Sequence, residues 1–240
     1  MEQMLTGKHI VLLGASTGIG WDTAHLLRKQ GANLSLGSRS ITKRRESWNA
    51  IHGNCSQSFL ENVDITDEKS IINFKEKAID RFGAIDVLIN SAGVGYFSPA
   101  EKFEIEVFKE MININLIGTF LTCQSFGKEM LQQGFGRIYN IISVAGKIGL
   151  EGCAGYSASK FGVTGFSKVL QAEWRKKGIQ VTSVYPGAIN SSFWNQLEET
   201  PDKAKMISTH SFAKSMVSLI QLPDESFVDE ITIMPPHGVL

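Results

Sequence analysis

Short apolar runs alternate along the chain with longer stretches of helical periodicity. Seven runs read as strands: HIVLL (9–13), NLSLGS (33–38), SFLENV (58–63), DVLIN (86–90), RIYNII (137–142), QVTSVY (180–185) and EITIM (230–234). Several are apolar almost throughout, the pattern of strands covered on both faces. Between them lie helix-length segments at 18–30, 67–82, 101–133 and 156–177. The segment 67–82 opens on Asp67, a good capping side chain, and repeats apolar residues at Ile71, Ile72, Phe74, Ala78, Ile79 and Phe82 with a helical period. KKG at 176–178 closes the last of these helices with cations and a glycine. Strands alternating with helices imply βαβ units and a parallel sheet. The expected fold is α/β: one doubly wound domain over residues 1–240, about seven parallel strands with helices on both faces, and a short irregular lid near 188–210.

Composition narrows the function. The 240 residues suffice for one large core, and the 24 Lys plus Arg balance the 24 Asp plus Glu. That balance gives no reason to expect a nucleic-acid or anionic-membrane partner. The three cysteines, Cys55, Cys123 and Cys153, are scattered without ligand spacing, so neither a disulfide framework nor a metal site is expected. The five histidines, His9, His25, His52, His210 and His237, read as isolated core or surface residues. No apolar run has membrane-spanning length and the N-terminal stretch lacks a leader pattern, so the expected location is the cytoplasm.

Two local patterns are candidates for chemistry, although such a glycine turn also occurs for packing alone and a Tyr–Lys pair at helical spacing by itself more often just faces solvent. HIVLLGASTGIG is a strand running into a glycine turn and then a helix. Gly14, Gly18 and Gly20 permit a tight turn and close backbone approach, and Ser16, Thr17 and Ile19 complete it. Such a turn at the first strand–helix junction suits a pyrophosphate held at a helix N-terminus, as in Rossmann folds. In YSASK, Tyr156 and Lys160 stand four residues apart, on one face of a helix.

These motifs, with others in order along the chain, resemble those of the short-chain dehydrogenases/reductases. GASTGIG is similar to the family's TGxxxGxG turn, with Leu13 in place of the threonine. Asp64 and Ile65 in NVDI match the step that contacts adenine. Asn90, Ala92 and Gly93 match the NNAG motif, with Ser91 as a departure. Asn115 in NINLIG, Ser143 in IISVAG and the YxxxK pair match the catalytic positions, the tyrosine thirteen residues after the serine. YPGAINS, with Pro186, Gly187 and Ile189, matches the turn that wraps the nicotinamide.

The resemblance implies an oxidoreductase that moves a hydride between a nicotinamide dinucleotide and a carbonyl or alcohol. A carboxylate ending the second strand would grip the ribose 2′-hydroxyl of NAD, whereas an arginine accommodates the 2′-phosphate of NADP. Ser38 and Arg39 stand there, with Lys43, Arg44 and Arg45 beyond as a solvated helix face or added positive potential. NADP(H) is therefore the expected cofactor, with NAD(H) open as the alternative; Thr17 stands where many NADP-preferring relatives carry a basic residue. Tyr156 is the candidate proton donor, with Lys160 one turn away to lower its pKa. The resemblance implies three further roles: Lys160 holding ribose hydroxyls, Ser143 bonding the substrate carbonyl, and Asn115 holding a water that links Lys160 to bulk protons.

The substrate is less defined. Phe193, Trp194 and Leu197 are the apolar residues of the expected lid, with GVGYFSP (93–99) and KIGLEGCAGY (147–156) as the other bordering loops. The C-terminal FVDEITIMPPHGVL departs from the ending usual in 3-oxoacyl-[acyl-carrier-protein] reductases. A small-molecule carbonyl or alcohol substrate leads, with the 3-oxoacyl thioester reductase as runner-up and a non-catalytic NADP(H)-binding regulator as the reading from another class. The family resemblance also implies a homo-oligomer, dimer or tetramer, built on helices such as 101–133 and 156–177.

Overall fold

The computed structural model describes residues 5–53, 56–196 and 201–239. Seven strands form one parallel sheet: β1 (His9–Leu13), β2 (Asn33–Ser38), β3 (Ser58–Asn62), β4 (Val87–Asn90), β5 (Gly136–Ile141), β6 (Ile179–Pro186) and a C-terminal strand, Glu230–Ile233. Their spatial order is β3-β2-β1-β4-β5-β6 and then the C-terminal strand. The order runs outward from β1 in one direction and from β4 in the other, so a crevice opens between the ends of these two strands.

Helices cover both faces, as the apolar runs demand. On one face lie α1 (Gly18–Lys29), α2 (Arg45–His52) and the late helix Thr209–Ile220, around a core that includes Ile10, Leu12, Leu34, Leu36, Trp48 and Phe212. On the other lie α3 (Glu68–Phe82), α4 (Ile105–Met111), α5 (Thr119–Gln133) and α6 (Ala154–Trp174), around Val11, Leu13, Phe74, Leu88, Phe126 and Val181. Asp67 caps α3 as expected, accepting from Lys69 N at 3.0 Å. On that helix Ile71, Phe74 and Ala78 are buried, whereas Ile72 turns outward at 37% exposure.

The helix expected over 101–133 differs in two ways. A short turn at Ala100–Lys102 and an extended Phe103 and Glu104 delay its start to Ile105. From Ile112 to Gly118 it widens into a π-helical stretch that joins α4 to α5. Such widenings accommodate an extra residue and occur often at functional positions.

The region expected as an irregular lid is more ordered than its sequence suggests. Two short parallel strands, β7 (Ile189–Asn190) and β8 (Ile207–Ser208), pair across its ends. A helical turn, Ser192–Gln196, lies between them. The late helix, α7 (Thr209–Ile220), begins inside the expected lid: Ser208 caps it by accepting from Ser211 N at 3.0 Å, and Phe212, Ala213, Met216, Val217, Leu219 and Ile220 bury its inner face. The C-terminal strand is β9 (Glu230–Ile233), parallel to β6. Leu197 and Cys55 lie outside the described residues.

The histidines are not all isolated. His25 on α1 and His52 on α2 share a hydrogen bond, Nδ1 to Nε2, at 2.6 Å. The His25 imidazole stacks on the buried Trp48, that of His52 is tilted against it, and Trp21 meets His25 edge-on. Burial pulls the His52 pKa down to about 4, helped by His25, Arg28 and Lys29; burial likewise lowers that of His25, against the attraction of Asp22.

Candidate active site

A cleft of about 540 Å³ occupies the crevice at the ends of the central strands. Its floor begins with the glycine turn. Gly14 has φ +88°, and a Cβ there would stand 2.5 Å from Ala92 N. A Cβ at Gly20 would stand 2.2 Å from Gly14 O. These glycines let the turn after β1, the start of α1 and the Ser91–Gly93 segment after β4 pack together. The backbone thus forms a cradle that any larger residue would fill. Thr17 precedes α1 in an extended conformation with no side-chain cap bond. Thr17, Gly18 and Ile19 line the cleft, so the uncapped N–H groups of the first turn are open to an anion there. Ser16 joins them.

At the β2–β3 end, Ser38, Arg39, Asp64 and Ile65 all line the cleft. Arg39 is exposed to solvent. The Asp64 carboxylate accepts from Thr66 N at 2.9 Å and from Thr66 Oγ1 at 2.7 Å; these bonds hold its pKa below the usual range, with the Arg39 charge assisting. Arg44 and Arg45 are engaged elsewhere: the Arg44 guanidinium sits 5.7 Å from the Trp21 ring, and Arg45 donates to Leu60 O at 2.8 Å. Among the basic residues after β2, Arg39 is the one that lines the cleft.

At the other end, α6 presents Tyr156 and Lys160 and the end of β5 presents Ser143. Lys160 is 6% exposed, with Nζ 3.3 Å from Ile141 O and 5.6 Å from the Tyr156 ring centroid. Tyr156 and Ser143 share a side-chain hydrogen bond. The lowered phenol pKa expected from Lys160 is not found. Burial drives the Tyr156 pKa up to about 12, against the Ser143 bond and with the Cys153 thiol adding to the rise. Burial also draws Lys160 down to about 8. Desolvation disfavours the charged form of each group and is the largest cause of both shifts. At neutral pH Tyr156 therefore keeps its proton.

Three expected site residues stand off the cleft. Gly20 packs beneath the turn. Asn90 points sideways within the sheet instead of upward. It pairs in register with Asn140 of β5 and donates Nδ2 to Asn140 Oδ1 at 2.8 Å and to Cys123 Sγ at 3.2 Å. Asn140 passes the chain on to Ser167 Oγ on α6 at 2.9 Å. Asn115, in the π-helical stretch, sits behind Gly93. Its Oδ1 accepts from Val94 N at 2.8 Å, and its Nδ2 donates to Val94 O at 2.8 Å and Ser159 Oγ at 3.0 Å. Ser159 in turn donates to Tyr156 O at 2.7 Å. Asn115 thereby ties the loop after β4 to the helix that carries Tyr156.

The remaining expected residues, Ala92, Gly93, Pro186, Gly187 and Ile189, line the cleft, as do Phe193 and Trp194. Phe97, Cys153, Val63 and Val239 also line it, although no motif assigns them a role there. Phe97 and Cys153 lie in the two bordering loops, which pair through Ser98 and Cys153. Val239 belongs to the C-terminal tail, and nothing in its sequence signals a return to the cleft.

The fold and this cleft define a Rossmann-type oxidoreductase. Residues 8–202 match the family described as short chain dehydrogenase. The chain belongs to that family. It is 34% identical to a D-threitol dehydrogenase of Mycolicibacterium smegmatis, over 87% of this chain and 82% of the relative. Among solved structures it is similar to an alcohol dehydrogenase from the archaeon Thermococcus sibiricus complexed with 5-hydroxy-NADP, with TM-score 0.84 and 26% identity over 94% of this chain and 95% of the other. A metagenomic short-chain oxidoreductase in complex with NADP aligns with TM-score 0.82 and 29% identity, over 97% of this chain and 99% of the other. No helix among the described residues is long and apolar enough to cross a membrane.

Proposed function

We propose that the protein is an NADP(H)-dependent carbonyl reductase. The observation that carries this reading is one cleft that joins a glycine cradle at one end to Ser143, Tyr156 and Lys160 at the other. The turn at Gly14–Gly20 and the first-turn N–H groups of α1 would hold the pyrophosphate. Arg39 and Ser38 would meet the 2′-phosphate, and Asp64 and Ile65 the adenine. Gly93, Pro186, Gly187 and Ile189 would border the nicotinamide, and Lys160 its ribose. The bound cofactor supplies the hydride.

This chain's residues supply the rest. A phenol that holds its proton to about pH 12 is poised to give it to an oxygen gaining negative charge. Ser143 offers that oxygen a second hydrogen bond. The Lys160 ammonium, one helical turn away, stabilises the phenolate left behind, and Asn115 fixes the geometry between loop and helix. The protonated phenol is the form that carbonyl reduction requires. The M. smegmatis relative makes polyol oxidation the competing reading.

The direct test follows NADPH and NADH consumption against a panel of ketones, aldehydes and β-keto thioesters, with D-threitol in the oxidative direction. Turnover of simple carbonyls with NADPH in preference to NADH is expected. Tight NADPH binding with no turnover of any compound would favour the regulator instead. We also propose a homo-oligomer through the outer faces of α5 and α6, where Phe120 and Phe161 are 40% and 45% exposed. Light scattering reads this directly, and a monomer at micromolar concentration would refute it.

A further inference from the structure

Beyond Tyr156 the cleft is walled by aromatic rings. Phe97 lies 5.7 Å from Tyr156, 6.0 Å from Phe193 and 6.0 Å from Trp194, centroid to centroid. Phe193 closes the box at 5.7 Å from Tyr156 and 5.4 Å from Trp194. Phe97 and Trp194 are nearly parallel, 11° apart, whereas the other pairs are tilted or edge-on.

The box is held from behind. Trp194 Nε1 donates to Ile189 O at 2.7 Å, and Phe193 N to Ser191 Oγ at 3.3 Å. Beside Phe97, Ser98 N donates to Gly152 O at 2.9 Å. Gly95 sets the depth: a Cβ there would lie 2.3 Å from Phe193 Cζ and 3.2 Å from Tyr156 Cδ2. The missing side chain is what lets the Phe193 ring reach the tyrosine.

Of the charged residues that line the cleft, Arg39 and Asp64 follow β2 and β3, on the far side of the crevice from β5 and α6, Glu110 lies on α4 and Lys160 on α6. Lys160 approaches the Tyr156 ring, and the rings that meet Phe97 are those of Tyr156, Phe193 and Trp194. Hydroxyl groups on a substrate would face ring carbons here and lose their bonds to water. A flat apolar group would gain offset-stacked and edge-to-face contacts. We infer that the reacting carbonyl carries an aryl or similarly flat, uncharged ring, packed against the wall formed by Phe97, Phe193 and Trp194. The inference rests on the carbonyl reductase reading and names its substrate class.

Two diones that differ by phenyl for methyl provide the test. With NADPH, kcat/KM for 1-phenylpropane-1,2-dione should exceed that for butane-2,3-dione by about 30-fold or more. Phe97→Leu and Trp194→Leu should each cut that ratio to about fivefold or less, with NADPH fluorescence titration reporting a folded variant. Gly95→Ala, which displaces the Phe193 ring, should lower the ratio by an independent route. Equal use of the two diones, or a ratio unmoved in all three variants, would overturn the inference and leave the reductase reading standing, whereas preferential oxidation of D-threitol would overturn both. Failure to reduce any carbonyl, in a protein that binds NADPH, would overturn both.

Discussion

The two ends of the cleft are built on different terms. At the α6 end, Lys160 and Asn115 are 6% and 1% exposed, and their polar atoms meet partners from β5, the loop after β4 and α6 itself. At the β2 end, Arg39 is open to solvent, and the Ser38 hydroxyl accepts a weak local bond from Ser40 N at 3.4 Å. On the proposed reading, the first arrangement would fix where protons go, and few other residues could fill it. The second would leave the choice of dinucleotide to side chains that packing hardly constrains. Chemistry would then be the costly property to change in this molecule, and cofactor preference the cheap one.

The sharpest way to break that contrast is at Tyr156. Tyr156→Phe keeps the ring in its box and removes the proton, so turnover should fall about a thousandfold or more while NADPH binding, read by fluorescence, persists. Retained activity would remove the chemical half of the comparison. Asn115→Ala comes next. It strips three hydrogen bonds and leaves Val94 N–H and C=O without side-chain partners, so urea unfolding should show a loss of about 3 kcal/mol. A loss below about 1 kcal/mol would mean that the α6 end is less tightly constrained than its bonds indicate.

At the open end, Ser38→Asp with Arg39→Ala should move the NADPH-to-NADH ratio of kcat/KM about 100-fold toward NADH, roughly 2.7 kcal/mol, with little change in melting temperature. An unchanged ratio would sink the assignment of Arg39. The smallest effect belongs to the histidine pair between α1 and α2. The folded pKa of His52, about 4, lies below its ordinary 6.5. The unfolded chain therefore binds more protons between these values, and stability is lost as pH falls from about 6.5 toward about 4. Melting temperatures across that window should show the slope, and His52→Phe should flatten it. The slope is kept modest because His52 is partly open to solvent.

The parts legible in the sequence are those that local rules determine. All seven strands of the main sheet could be placed from apolar runs, and Tyr156 and Lys160 from a spacing that gained meaning only beside the other family motifs. What escaped depended on distant partners. Asn90 sits at a strand end, and only the register that sets it opposite Asn140 turns its amide into the sheet. The phenol's raised pKa comes from the depth of the cleft, which spacing along α6 does not report. α7 was readable from Ser208 and the Phe212, Met216, Leu219 stripe, but its polar opening residues blended into the expected lid. Phe97 joins the site only because its loop pairs with the one before α6.

The π-helical stretch over Ile112–Gly118 has a consequence for how this chain can vary. Each residue added to or removed from a regular helix rotates everything beyond it by about 100°. Here Asn115 must face the loop after β4, while Cys123, Phe126 and Met130 must face the sheet. The widened turn absorbs the phase difference between these two demands. Single substitutions along its outer side should be borne easily. A one-residue deletion would restore ideal helical geometry, yet it would leave either the asparagine or the core stripe pointing the wrong way. The irregularity works as a phase adjuster, and for this helix length is a stricter constraint than composition.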